Sequence, residues 1–224
     1  LEIKYTDGTA QTVISDGSWL WSSDGAIRFA DNKDGERVNA NNIPSYKNHA
    51  KETVCKVLPS ASNNFPIAEK ERFKPTLSVT PSEKKLLDFG QNIAGYAEFE
   101  VTARKGQKII LEFGELLRDG ELTLENIQCK NKHKTTPLQR VEYICKEGVN
   151  RYKTKFAIFG FQYISVETDV TVRPEDFTAI AVYSDMEETG FFNSSNELLN
   201  KFVEATKWSA KSNSTDLPTD LSLI

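Results

Sequence analysis

The chain has 224 residues, with 28 Lys and Arg against 32 Asp and Glu, for a net charge of −4. That balance supplies no basic face for phosphate and argues against nucleic acid as a partner. No stretch approaches the roughly 20 apolar residues of a membrane-spanning helix, and the length suits one or two domains.

Leu1-Glu2-Ile3-Lys4-Tyr5 alternates apolar and polar residues and predicts a strand. The chain therefore opens inside a strand and without Met, which leads us to expect a start within a longer protein. Asp-Gly pairs at 7–8, 16–17, 24–25, 34–35 and 119–120 mark turns, because both residues tolerate positive φ. Trp19 and Trp21 stand two apart and share a face if the segment is a strand. Two readings stand for them: indoles that stack on the apolar face of a sugar ring, or part of a sandwich core. Ala30–Glu36 places oxygen-bearing side chains around Gly35, making Asp31, Asn32 and Glu36 a candidate calcium site. The segment fails the EF-hand template, and the competing reading is a turn between strands. Calcium is the one cofactor the sequence suggests.

Thr53–Leu58 alternates and predicts a strand. The polar, proline-containing stretch Pro59–Pro81 reads as the crossing between two β units, 1–75 and 76–190. Further on, Gly95–Val101, Lys108–Phe113, Arg140–Cys145, Phe161–Glu167 and Phe177–Tyr183 alternate and are rich in Val, Ile, Phe and Tyr. Short strands with frequent turns predict a mainly β fold of antiparallel, jelly-roll-like sandwiches. Its expected core includes Phe89, Phe99, Ile109, Leu111, Tyr143, Ile164, Val166 and Ile180. Ser194-Ser195-Asn196-Glu197 reads as a capping box with Ser194 as N-cap, opening one helix with an apolar face of Leu198, Leu199, Phe202 and Val203. That face needs a partner, so 191–224 reads as the start of a helical domain, and an uncovered face invites self-association.

The cysteines, Cys55, Cys129 and Cys145, lack both disulfide and metal spacing. Carboxylate groupings at Glu112/Glu115, Asp185/Glu187/Glu188 and Asp216/Asp220 are the candidates for acid–base chemistry, and periodicity alone does not choose among them.

Five segments, in order, resemble the bacterial α-L-rhamnosidases, an inverting glycoside hydrolase family. They are Asp16-Gly17-Ser18-Trp19 with Asp34-Gly35-Glu36; Asp88-Phe89-Gly90-Gln91-Asn92-Ile93-Ala94-Gly95-Tyr96; Phe113-Gly114-Glu115-Leu116-Leu117 with Glu125-Asn126; Gly160-Phe161-Gln162-Tyr163, with Gln where Arg is usual; and Asn196–Asn200 with Asp216-Leu217-Pro218-Thr219-Asp220. The resemblance implies accessory β domains followed by the opening of an (α/α)₆ catalytic barrel, in a protein that hydrolyses terminal α-L-rhamnosyl residues of glycosides. It implies that the general acid and base lie outside this chain, which alone is expected to be inactive, and that Asp220 adjoins the sugar site. The alternatives are a carbohydrate-binding module without catalysis and a structural scaffold.

Overall fold

In a computed structural model the alternating segments pair into ladders, and residues 1–58, 60–61, 65–130 and 132–218 are described. The strands in chain order are β1 (Glu2–Lys4), β2 (Ala10–Thr12), β3 (Leu20–Trp21), β4 (Ile27–Asp31), β5 (Gly35–Asn39), β6 (Asn48–His49), β7 (Ile67–Phe73), β8 (Thr76–Val79) and β9 (Lys85–Ala103). There follow β10 (Lys108–Gly114), β11 (Leu116–Arg118), β12 (Glu121–Thr123), β13 (Cys129–Lys130), β14 (Thr135–Thr136), β15 (Arg140–Ile144), β16 (Gly148–Lys153), β17 (Phe159–Thr168) and β18 (Phe177–Ser184). One helix, α1 (Glu197–Ser212), comes after them.

The chain divides into two units, 1–26 with 42–62 and 27–41 with 63–224. The first holds the β1–β2 hairpin and the β3–β6 pair. None of its described residues is buried, so the sandwich expected there gives way to two small ladders. Asp7 and Asp16 shape its turns by accepting from the backbone and hydroxyl of Thr9 and Ser18.

The second unit is built on a ten-stranded sheet in which β4-β5-β15-β10-β17-β9-β18-β7 run side by side. Strand β9 has 19 residues and serves two sets of partners. Its first half lies between β8 and β17, and its second half between β18 and β16. Twist curls the sheet, so Phe99 on the second half of β9 meets Tyr143 on β15 with ring centroids 5.2 Å apart. Each of the eight expected core residues is at most 5% exposed. At roughly 1.5–3 kcal/mol for each large apolar side chain buried, this cluster dominates the unit's stability.

Three sequence expectations change. β4 and β5, placed in the first unit by a boundary at residue 75, join the larger sheet because β5 pairs with β15, and does so in parallel. Arg140 O lies 2.0 Å from where a Cβ on Gly35 would sit, so the close approach of these strands requires glycine. The stretch 59–81 contains β7 and β8 rather than a bare crossing, while Thr53–Leu58 is not a strand. Its alternation has no neighbouring strand to bury it, and alternation alone does not make a ladder.

Gly95 pairs with Ala181 of β18, and Ile180 O lies 1.9 Å from where its Cβ would sit. Gly95→Ala is expected to cost at least about 4 kcal/mol in urea unfolding or to prevent folding, whereas Gly190→Ala changes stability by less than about 0.5 kcal/mol.

Candidate functional site

The 88–96 segment resolves into a strand with a bulge. Asp88 pairs with Tyr163 and Ile93 with Phe161, so Phe89–Asn92 stand opposite Gln162 alone. Gly90 takes φ +72°, which suits glycine, and turns the extra residues out of the ladder. Asp88 holds the bulge closed. Its Oδ1 accepts from the Gly90 N–H at 2.8 Å and from Gln162 Nε2 at 3.0 Å. Two segments far apart in sequence thus meet through one carboxylate, and Gln162 bonds to Asp88 as a neutral donor.

The bulge brings Asn92 to Glu115, just beyond β10. Asn92 Nδ2 donates to Oε1 and Asn126 Nδ2 to Oε2, each at 3.1 Å. The β11–β12 hairpin carries the chain from Glu115 back to Asn126, and its Asp119-Gly120 turn has both φ values positive, at 51° and 78°. That is the two-residue turn whose twist matches antiparallel strands.

Helix α1 lies over this region. Asn196 is its N-cap, accepting from the N–H groups of Leu198 and Leu199. The expected capping box at Ser194 does not form, because Asn196 stands nearer the helix start and its short carbonyl reaches both orphan donors. The Ser194 hydroxyl accepts from the Asn196 N–H. The docked face is also not the expected one. Trp208 meets Phe73 edge-on at 5.8 Å, and the Ser212 hydroxyl accepts from Ala94 N at 3.3 Å. Lys211 Nζ lies 3.0 Å from Glu71 Oε1 and 4.7 Å from the Trp208 ring centroid. Tyr183 donates its hydroxyl to the same Glu71 carboxylate. Leu198, Leu199 and Phe202 remain 76, 42 and 66% exposed. Between α1, the bulge and Glu115 is a cleft of about 360 Å³ whose lining includes Gln91, Asn92, Trp208, Ser209 and Asn213.

Elsewhere the candidate residues are dispersed. Trp19 and Trp21 are 51 and 52% exposed, which removes the core reading, and Trp19 Nε1 donates to Ile14 O. Asp31 Oδ1 accepts from the Lys33 and Asp34 N–H groups, which makes 31–35 the turn of the β4–β5 hairpin. Glu36 pairs with Ala30 across that hairpin, so it faces away from Asp31. Only 1% exposed, Glu36 accepts from the Lys155, Phe156 and Ala157 N–H groups and from the Tyr152 hydroxyl. Its carboxylate thus anchors the 155–157 loop. Among the described residues no group of three or more His, Cys, Asp or Glu is placed to hold a metal.

Asp220 lies outside the described residues. Glu112 pairs with Arg140, Asp185 with Lys70 and Glu188 with Lys207. All three cysteines are free, and burial pushes the Cys145 thiol up to about 11, away from nucleophilic use.

Among the described residues lining this cleft, Glu115 is the one carboxylate, and both of its oxygens are held by amides. Residues 78–183 match the bacterial alpha-L-rhamnosidase concanavalin-like domain. Over 98% of its length the chain is 28% identical to an alpha-L-rhamnosidase of Alteromonas sp. (strain LOR) and 30% identical to one of Formosa agariphila. The crystal structure of the Aspergillus terreus α-L-rhamnosidase superimposes with a TM-score of 0.82 at 26% identity, covering 99% of this chain and 27% of that one. Residues 78–183 thus carry a domain of the bacterial α-L-rhamnosidase family, and the chain as a whole is similar to α-L-rhamnosidases over 98–99% of its length. It spans about a quarter of the length of the curated relatives it matches.

Two expectations follow from the buried and clamping charges. Tyr152→Phe removes a hydrogen bond to the buried Glu36 and is expected to cost about 1.5–3 kcal/mol in urea unfolding, with Glu36→Ala costing more and millimolar calcium shifting the midpoint of neither the variants nor the native chain.

The second concerns α1. Burial acts to raise the Glu71 carboxyl, but hydrogen bonds from Lys211 and Tyr183 outweigh it and hold it below its ordinary 4.5. Burial acts to lower Lys211, and its bond to Glu71 outweighs that and holds it above 10.5. The carboxylate's contribution is present above its unfolded value and is lost as pH falls through the lower folded one. The ammonium's contribution is lost as pH rises through its raised value. Hydrogen-exchange protection of α1 should therefore be level at neutral pH and fall on acidification below about pH 4.5, and Lys211→Met should remove that acid limb.

Proposed function

We propose that the chain is the accessory β portion of an α-L-rhamnosidase, joined through residues 191–224 to the opening of its helical catalytic domain. The longer protein then hydrolyses terminal α-L-rhamnosyl residues of glycosides with inversion. The observation that carries this reading is the convergence of the 88–96, 113–126 and 159–163 segments beneath one docked helix. The names of the matched relatives supply the substrate class. The exposed Leu198, Leu199 and Phe202 face fits a helix that takes further helices as neighbours, and a free face of this kind also favours self-association of the isolated chain. Asp220 is assigned to substrate contact in the longer protein.

Inverting hydrolysis needs two carboxyl groups about 6.5–9.5 Å apart, one to protonate the leaving oxygen and one to activate water. The cleft beside α1 is lined by one carboxylate, Glu115, and both of its oxygens already accept amide N–H groups. The expected result is no release of p-nitrophenol from p-nitrophenyl α-L-rhamnoside by the 224-residue chain, with turnover restored in a chain extended through the helical domain. Turnover by the 224-residue chain itself would overturn the assignment.

A further inference from the structure

The cleft beneath α1 has features that the docking of the helix does not use. Its floor is the β9 bulge and its wall is the outer part of the helix. The Glu115 carboxylate is fixed by two amides, one on each oxygen, and each oxygen keeps a lone pair. Asn92 and Asn213 spend their N–H groups on Glu115 Oε1 and Ser209 O, so their side-chain carbonyls are left as acceptors. The Trp208 indole N–H and the Ser209 hydroxyl have no hydrogen-bond partner among the described residues. Beside these groups lies the Trp208 indole.

We propose that this cleft is a binding site for one neutral pyranose ring. The site rests on this geometry, read from residues of this chain alone. An indole next to fixed acceptors suits a ligand with an apolar C–H face and hydroxyls round its edge. A volume of about 360 Å³ admits one ring rather than a chain of them. The negative Glu115 beside the neutral Asn92 and Asn213 carbonyls disfavours an anionic sugar, and no cationic side chain lines the cleft to offset it. Hydroxyl donors to Glu115 would form charge-assisted hydrogen bonds, the stronger kind. Sugar binding would also link α1 to the sheet, because the ring would touch both the helix and the bulge.

The test uses the full 224-residue chain labelled with ¹⁵N and titrated with L-rhamnose, D-glucose and D-glucuronate. The chain has three tryptophans, so three indole N–H signals are assigned by single Trp→Phe substitutions. The expected result is a saturable shift of the Trp208 signal with a neutral sugar, in the millimolar range for so small a ligand in an open cleft, and a much smaller shift with glucuronate. Ala205→Phe should abolish it by filling the cleft. Ala205 is exposed and lines the cleft, outside the Trp208, Lys211 and Ser212 docking contacts, and an unchanged melting temperature would confirm that the variant folds. Ser209→Ala should weaken the shift several-fold. No Trp208 shift at 100-fold the protein's concentration and above, up to the solubility limit of the sugar, overturns the proposal. So does a shift confined to Trp19 and Trp21, or one that persists unchanged in Ala205→Phe. None of these readings depends on turnover, so the hydrolase assignment and the cleft assignment can fail separately.

Discussion

Strand β9 is the constraint on which the larger unit depends. A 19-residue strand that pairs with β8 and β17 along one half and with β18 and β16 along the other ties the whole sheet to one backbone. Such a strand cannot slip by one residue without turning every side chain to the opposite face. Ala97, Phe99 and Val101 would all leave the core. The bulge at 89–92 belongs to the same logic. An extended ladder would keep Asn92 in the sheet, whereas four residues opposite one give it the reach to Glu115.

Buried charge is handled locally. Asp34 and Glu36 flank Gly35 and are 5 and 1% exposed, yet neither lacks a partner. Asp34 takes the Thr136 hydroxyl, the Leu138 N–H and Lys134, and Glu36 takes three successive backbone donors and a tyrosine hydroxyl. For Asp34 burial acts to raise the carboxyl, and these donors outweigh it and lower it. Both carboxylates therefore pin loops distant in sequence, 134–138 and 155–157, to the β4–β5 hairpin. An ordered loop needs its backbone N–H groups satisfied, and a buried carboxylate with two oxygens can accept several at once.

Helix α1 shows a different economy. One turn of aromatic and charged residues, Trp208 and Lys211 against Phe73, Glu71 and Tyr183, holds a 16-residue helix to the sheet. The most apolar stripe of that helix faces away. The helix docks through its more polar face and leaves Leu198, Leu199 and Phe202 exposed. In the proposed enzyme the β unit would thereby position the catalytic domain while holding none of its acid–base groups.

The positions of β10, β15, β17, β18 and the second half of β9, and the core residues, were legible in the sequence, because period-two alternation is a local consequence of the pleat and is written wherever one face is buried; β7 and β8 were not. The family was legible too, since its segments are ordered along the chain. The tertiary structure alone decided which alternating segments found partners: Arg140–Ile144 did, and Thr53–Leu58 did not. It alone assigned β5 to a parallel partner a hundred residues away, and Glu36 to three backbone donors on the 155–157 loop. It chose Asn196 over Ser194 as the helix cap, and Trp208 over Leu198 as the docking residue. These outcomes depend on which groups meet across long sequence separations, and a local pattern of apolar and polar residues does not encode that.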